Sequence, residues 1–161
     1  MAIPDFIVAL RARVGTDLLW LSGATAVVFR DHPATDEREV LLVQRSDNGA
    51  WTAVTGVIDP GEEPAAAACR EVLEEAGVVA AARRLAWVHA LPPMRYDNGD
   101  RAQYLDLTFA CEYVSGEPRP DGEETVAAVW CPLDALPPMG EDMLARIRAA
   151  ADGDGPARFE T

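Results

Sequence analysis

Read along its length, the chain alternates short apolar runs with polar punctuation. Residues 24–30 (ATAVVFR) and 39–45 (EVLLVQR) are rich in β-branched residues and predict core strands, with the polar stretch DHPATDE as the loop between them. Residues 18–20 predict a brief strand ahead of them, and 51–54 a further short one. The period then changes. Ala65, Cys69, Val72 and Ala76 recur at i, i+4, i+7 and i+11, the apolar stripe of a helix docked on a core. Residues 85–91 and 102–113 (AQYLDLTFACEY) predict the strands of a hairpin joined across Asp97-Asn98-Gly99-Asp100, with Leu105, Leu107, Phe109 and Cys111 alternating onto one face. A strand over 124–130 and a helix over 139–150 follow. At the other end, residues 4–13 predict a short amphipathic helix whose apolar face carries Phe6, Ile7, Leu10 and Val14. Strands on both sides of a central helix, plus a C-terminal helix, favour a sheet packed between helices. No repeat, linker or low-complexity tract divides the chain. Residues 1–161 therefore read as one domain, with 1–20 an N-terminal extension and 151–161 (ADGDGPARFET) a flexible tail.

Residues 56–78 (GVIDPGEEPAAAACREVLEEAGV) break the rules that the rest of the chain obeys. Glu71, Glu74 and Glu75 stand at i, i+3 and i+4 and so share one helix face. Like charges at that spacing repel by about 0.2–0.5 kcal/mol per pair, and the segment holds no lysine to offset them. Glu74 and Glu75 also fall in the last turn before Gly77, the end at which the helix dipole disfavours anions. A solvated acidic face is the usual meaning of a lone acidic run. Two broken rules without a structural return instead mark a functional site, and three clustered carboxylates suit a hard divalent cation. The neighbouring residues would hold the cluster. Asp59-Pro60-Gly61-Glu62 reads as a tight turn, Pro64 suits the first helical position, and Gly77 is a natural residue to end the helix. In this reading the carboxylates lie on the helix edge away from the core stripe.

Composition narrows the chemistry. Apolar content of 49% and charged content of 25% are ordinary for a globular chain. The net charge of −13, from 27 acidic against 14 basic residues, lacks the footprint of a nucleic-acid binder. An acidic protein acting on anionic phosphates needs a divalent ion to invert the local field. Cys69, Cys111 and Cys131 are odd in number and widely spaced, which predicts reduced, mostly buried thiols and a cytoplasmic setting. The N-terminal apolar residues are broken by Arg11, Arg13 and Asp17, so neither a signal peptide nor a membrane span fits them. His32 and His89 have no partner at a metal-binding spacing and read as loop or packing residues.

With its spacing set out, the acidic segment resembles the signature box of Nudix hydrolases. The box positions are Gly56, Glu62, Arg70, Glu71, Val72, Glu74, Glu75, Gly77 and Val78, without departure. The resemblance implies a Nudix-type α/β/α sandwich with a mixed central sheet. It implies an enzyme that cleaves a phosphoanhydride in a nucleoside diphosphate derivative by attack of water, with Mg²⁺ as cofactor and Mn²⁺ as a substitute. By the same resemblance, Glu74 and Glu75 are the main metal ligands, Glu71 is a further ligand or the general base, and the Gly56 carbonyl completes the site. Arg70 and Glu62 orient the glutamates. The base can also come from outside the box, and the loop Asp121-Gly122-Glu123-Glu124 is the best external candidate, against the alternative of an ordinary polar turn. Arg45, Tyr104 and Glu124 are the candidate substrate contacts, Arg45 because relatives often reach phosphates from that strand end. Arg95, Tyr96, Arg101 and Asp106 surround the same hairpin, and Trp51 is either a base-stacking or a core residue. The expected partner is a small nucleotide, a (possibly oxidised) nucleoside triphosphate giving the monophosphate and pyrophosphate. ADP-ribose, another nucleotide-sugar or a dinucleoside polyphosphate is the alternative. A catalytically silent nucleotide sensor and an isoprenyl diphosphate isomerase are the readings from other classes. No nucleic acid or membrane partner is expected, and a homodimer is the assembly that related folds offer.

Overall fold

The computed structural model describes residues 3–153 and 155–161. Among these residues the helices are α1 (Asp5–Val14), α2 (Pro64–Ala76) and α3 (Glu141–Ala151). The strands are β1 (Leu18–Asp31), β2 (Arg38–Arg45), β3 (Trp51–Thr52), β4 (Val54–Val57), β5 (Val79–Ala90), β6 (Met94–Arg95), β7 (Arg101–Ser115), β8 (Thr125–Pro132) and β9 (Arg158–Phe159). They form one mixed sheet in the order β3-β2-β1-β7-β5-β9, with β4 paired to β1, β6 to β7 and β8 to β2. The β1/β7 and β5/β9 pairs are parallel and the others antiparallel.

Alternation along the central strands explains the unbroken apolar runs 26–29 and 40–43. Ala24, Ala26 and Val28 of β1, with Leu41 and Val43 of β2, pack on the face that carries Ala67, Ala68, Val72 and Ala76 of α2. Val27, Phe29, Val40 and Leu42 point to the other face and meet Met143, Ile147 and Ala150 of α3. A sheet buried on both sides needs apolar residues at both parities. The architecture is the expected α/β/α sandwich with a mixed central sheet. Trp51 packs with the α3-side cluster, which favours its core role.

Several expectations are refined. The brief strand at 18–20 is the start of the 14-residue β1, because β7 continues beside it in parallel from Leu18↔Arg101 to Phe29↔Glu112. The predicted short strand near 51–54 splits at Ala53, with β3 pairing β2 and β4 pairing β1. The C-terminal tail is not left frayed: Arg158 and Phe159 pair with Trp87 and Val88 of β5, and the Arg158 guanidinium lies 4.2 Å from the Trp87 ring centre. In α1, Ile7 is buried against Leu21, Val57 and Ala102, while Leu10 and Val14 stay about two-fifths exposed at 39% and 40%. Among the described residues no helix is long and apolar enough to cross a membrane.

Helix α3 is tied to the sheet by buried polar groups as well as by its apolar stripe. Thr25 Oγ1 and Thr108 Oγ1 each donate to the Asp106 carboxylate at 2.7 Å. Arg146 reaches the same carboxylate at 3.5 Å, donates to Thr25 Oγ1 at 2.9 Å and pairs with Asp142 one turn back in α3. Asp106 is therefore a structural residue of the core rather than a substrate contact.

Candidate active site

Local sequence builds the box much as its residues predict. Pro60 and Gly61 make the turn, with Gly61 at φ +85° and Glu62 N–H donating to the Asp59 carbonyl at 2.9 Å. Pro64 opens α2 and Gly77, at φ +66°, closes it in the left-handed region. Below the helix, β4 brings Gly56 against Glu71. A Cβ on Gly56 would collide with the Glu71 carboxyl group, so a larger residue there would displace that side chain from the strand.

Arg70 organises the carboxylates. Its Nε and Nη2 form a fork on Glu62 at 2.8 and 2.9 Å, and Nη1 donates to Glu71 at 2.9 Å and to Glu74 at 3.0 Å. Nη2 also reaches the Val57 carbonyl at 3.3 Å. The fork holds the Glu62 carboxyl below its ordinary range. One guanidinium thus links the turn, strand β4 and two of the three glutamates.

Glu75 is placed differently from the expectation. The buried seam of α2 runs through Ala67, Ala68, Val72 and Ala76, rotated from the predicted stripe, and Cys69 is only half-buried. Glu75 adjoins that seam and is 7% exposed, so it does not lie away from the core. Burial first, then the nearby charges of Glu124 and Glu71, push its carboxyl up to about 8. Burial likewise raises Glu71 to about 7 against the opposing pull of Arg70. Glu74 is more than half exposed on the outer edge.

Glu124 reaches the site from the loop before β8. Asp121 accepts the N–H groups of Glu123, Glu124 and Thr125, an ordinary turn role; those bonds outweigh burial and hold its carboxyl low. Ser46 bonds this loop through both its N–H and its hydroxyl, to the carbonyls of Glu124 and Glu123 at 2.8 and 2.7 Å. Thr125 Oγ1 donates to the Glu75 carbonyl at 2.9 Å, fastening β8 to the end of α2. These bonds set Glu124 close enough to raise both Glu75 and Glu71. Arg45 forks onto Asp47 at 2.7 and 3.0 Å, and its charge is felt at Glu75 and Tyr96. Tyr104 of β7 lies across β1 from β4. A point one Cβ above Gly23 lies 3.4 Å from the Tyr104 ring and 3.5 Å from the Gly56 carbonyl oxygen. The Tyr104 hydroxyl shares a 2.9 Å hydrogen bond with that of Tyr96.

Glu71, then, stands against Gly56, with Arg70 bonded to it; Glu75 and Glu124 are in electrostatic reach of it and of one another, and Arg45 in reach of Glu75. The oxygen-only donor set and the two raised carboxyls fit a hard divalent cation. The carboxylates do not yet converge on one point: among the described residues no three His, Cys, Asp or Glu side chains gather closely enough to hold a metal. Arg70 holds Glu71 and Glu74, while Glu75 is buried beside the core seam. His89 stacks on Trp87 and faces Asp142, far from any such role, and His32 caps its own loop. The three cysteines are free. Ser46, Thr125 and Asp47 were not legible as site residues, because their contribution is made through bonds across the fold.

Comparison with known proteins matches this geometry to a family. A family model described as NUDIX domain matches residues 21–150. A MutT-like protein of Streptomyces ambofaciens is 31% identical over 121 residues, 75% of this chain and 73% of its own length. A candidate 8-oxo-dGTP diphosphatase of Bacillus subtilis is 31% identical over 119 residues, covering 74% of this chain and 71% of that protein. Among solved structures, an ADP-ribose pyrophosphatase from Streptococcus suis is 25% identical with a TM-score of 0.59, covering 86% of this chain and 96% of that one.

Proposed function

The chain belongs to the NUDIX hydrolase family, and from that premise we propose that it is a Mg²⁺-dependent pyrophosphohydrolase of nucleoside triphosphates. The observation that supports the reading is the packing of Glu71 against Gly56, with Glu75 and Glu124 in electrostatic reach of it and the Glu71 and Glu75 carboxyls raised by burial. Glu71, Glu74, Glu75 and the Gly56 carbonyl would hold the ion, after side-chain rotation away from Arg70. A divalent ion supplies neutralisation of the phosphate oxygens and a lowered pKa for a bound water.

The chain's own residues account for the rest. Arg70, forked onto Glu62, keeps the glutamate edge in register with β4 and is the positioning residue for it. Glu124, or Glu71 where it is left free of the ion, would accept the proton of the attacking water. Arg45, whose charge reaches Glu75, is the cation that would meet a substrate phosphate once it exchanges Asp47 for it. Tyr104 and Tyr96, joined through their hydroxyls, would border the nucleoside end of the substrate.

For the substrate, the B. subtilis relative's name supports a triphosphate with an oxidised base, and the S. suis structure keeps ADP-ribose as the second reading. Three free cysteines are consistent with a cytoplasmic setting. The test is a panel of nucleoside triphosphates, oxidised triphosphates, ADP-ribose and dinucleoside polyphosphates with Mg²⁺, read by product chromatography. Monophosphate with pyrophosphate from a triphosphate is expected. Turnover confined to ADP-ribose would transfer the assignment to the second reading, and turnover of none would overturn the catalytic one.

A further inference from the structure

Helix α1 lies outside the 21–150 match, yet it reaches the loop that borders the site. Arg11 is its connection. The side chain is 13% exposed and bonds three backbone carbonyls: Gly15 at 3.0 Å, Asp17 at 2.6 Å and Arg101 at 2.7 Å. Its Nε lies 3.4 Å from the Asp100 carboxylate. Arg101 and Asp100 end the turn between β6 and β7, in which Tyr96 N–H donates to the Asp100 carbonyl and Gly99 N–H to the Tyr96 carbonyl, both at 2.9 Å. Asn98 braces the same turn by accepting the Asp100 N–H at 3.0 Å. One guanidinium therefore fixes the start of β1 and the far end of this turn together.

The turn carries Tyr96. Its hydroxyl is held at 2.9 Å by that of Tyr104, whose ring adjoins Gly23 beside the Gly56 carbonyl. Tyr96 is 43% exposed and lies within the electrostatic reach of Arg45. An exposed aromatic ring, joined through Tyr104 to the surroundings of the Gly56 carbonyl and within reach of the Arg45 charge, is suited to stacking a nucleobase.

We propose that α1 is a working part of the substrate cleft: Arg11 is a positioning residue that clamps the Asp97–Asp100 turn and so holds Tyr96 to receive the nucleoside end of the substrate. The inference rests on nucleotide binding at the site described above, but it concerns recognition rather than hydrolysis. Without the clamp, Tyr96 keeps its place in the chain and loses its fixed position, so the ordering of that turn opposes each binding event. The phosphate end, held by the box and Arg45, is untouched.

Calorimetric titration with Mg²⁺ present tests it, using a nucleoside triphosphate with a methylene bridge between the α and β phosphates, and imidodiphosphate as the probe without a nucleoside. Arg11→Ala is expected to weaken the nucleotide by about tenfold and to leave imidodiphosphate within about twofold. Tyr96→Ala should match it, and the double variant should add little, since the two act as one unit. Arg11→Lys should not restore binding, because an ammonium cannot span the Gly15 and Asp17 carbonyls ahead of β1 and the Arg101 carbonyl at once. Unchanged nucleotide affinity in Arg11→Ala overturns the inference. So does equal weakening of both probes, which would mean general loosening, and so does wild-type protein that binds no nucleotide. Failure of hydrolysis alone would overturn the catalytic reading and leave this comparison intact.

Discussion

Glu75 and Glu71 show how burial and charge combine in a single side chain. Each carboxyl sits in a site that favours its neutral form, Glu75 at about 8 and Glu71 at about 7, against an ordinary value of 4.5. A carboxyl raised on folding binds more protons in the native state than in the unfolded one, so its stabilising contribution is present at low pH and is lost as pH rises through the folded value. In chelator, the metal-free protein should therefore lose thermal stability between about pH 5 and about pH 8. Glu75→Gln, which keeps the shape and removes the charge, should flatten that fall and melt higher than wild type at pH 8. Thermal unfolding across the pH series checks it; a wild-type melting temperature that falls between pH 6 and pH 8 no more than the variant's would mean that the carboxyls are not held in this way. The identities of these residues were legible in the sequence, since charge spacing along a helix is local information. The burial of Glu75 was not: it depends on the seam rotating toward Ala67 and Ala68, which β1 and β4 decide from outside the helix.

At the scale of elements, the site is a contact between one helix edge and one strand. Gly56 of β4 admits the Glu71 carboxyl to a space where a Cβ would stand. Gly56→Ala should push Glu71 out of register, cost about 1–3 kcal/mol of stability and lower turnover more than stability alone explains. Denaturant unfolding with parallel kinetics measures both, and a variant with wild-type stability and turnover would contradict the fit. The turn, the proline start and the glycine stop of α2 were readable because each follows from backbone preferences within a few residues. Three features were not readable for the opposite reason. The extension of β1 back to Leu18 depends on β7 some eighty residues later, β9 depends on an open edge of β5, and the Thr125 tether joins β8 to α2. Non-local pairing leaves no mark at the positions it recruits.

The whole molecule sets two helices on opposite faces of one sheet, and the two faces are held in different ways. The α2 side is an apolar seam that ends in the acidic edge, while the α3 side adds the buried Asp106–Arg146 pair. Removing one partner of a buried pair leaves the other charge uncompensated, so Arg146→Ala should cost about 3–5 kcal/mol, whereas Arg146→Met combined with Asp106→Asn should recover much of the loss. Equal stability of the single and double variants by denaturant unfolding would show that the pair does not anchor α3. The net charge of −13 gives the molecule no general attraction for phosphates, so the assignment turns on whether the acidic edge recruits a divalent cation. The most direct measurement is Mn²⁺ binding to purified wild-type and Glu75→Gln protein by electron paramagnetic resonance, with Mg²⁺ as competitor. Binding to wild type that Mg²⁺ displaces, and that Glu75→Gln weakens by at least about tenfold, is the predicted result; equal binding by both proteins, or none by wild type, would contradict it.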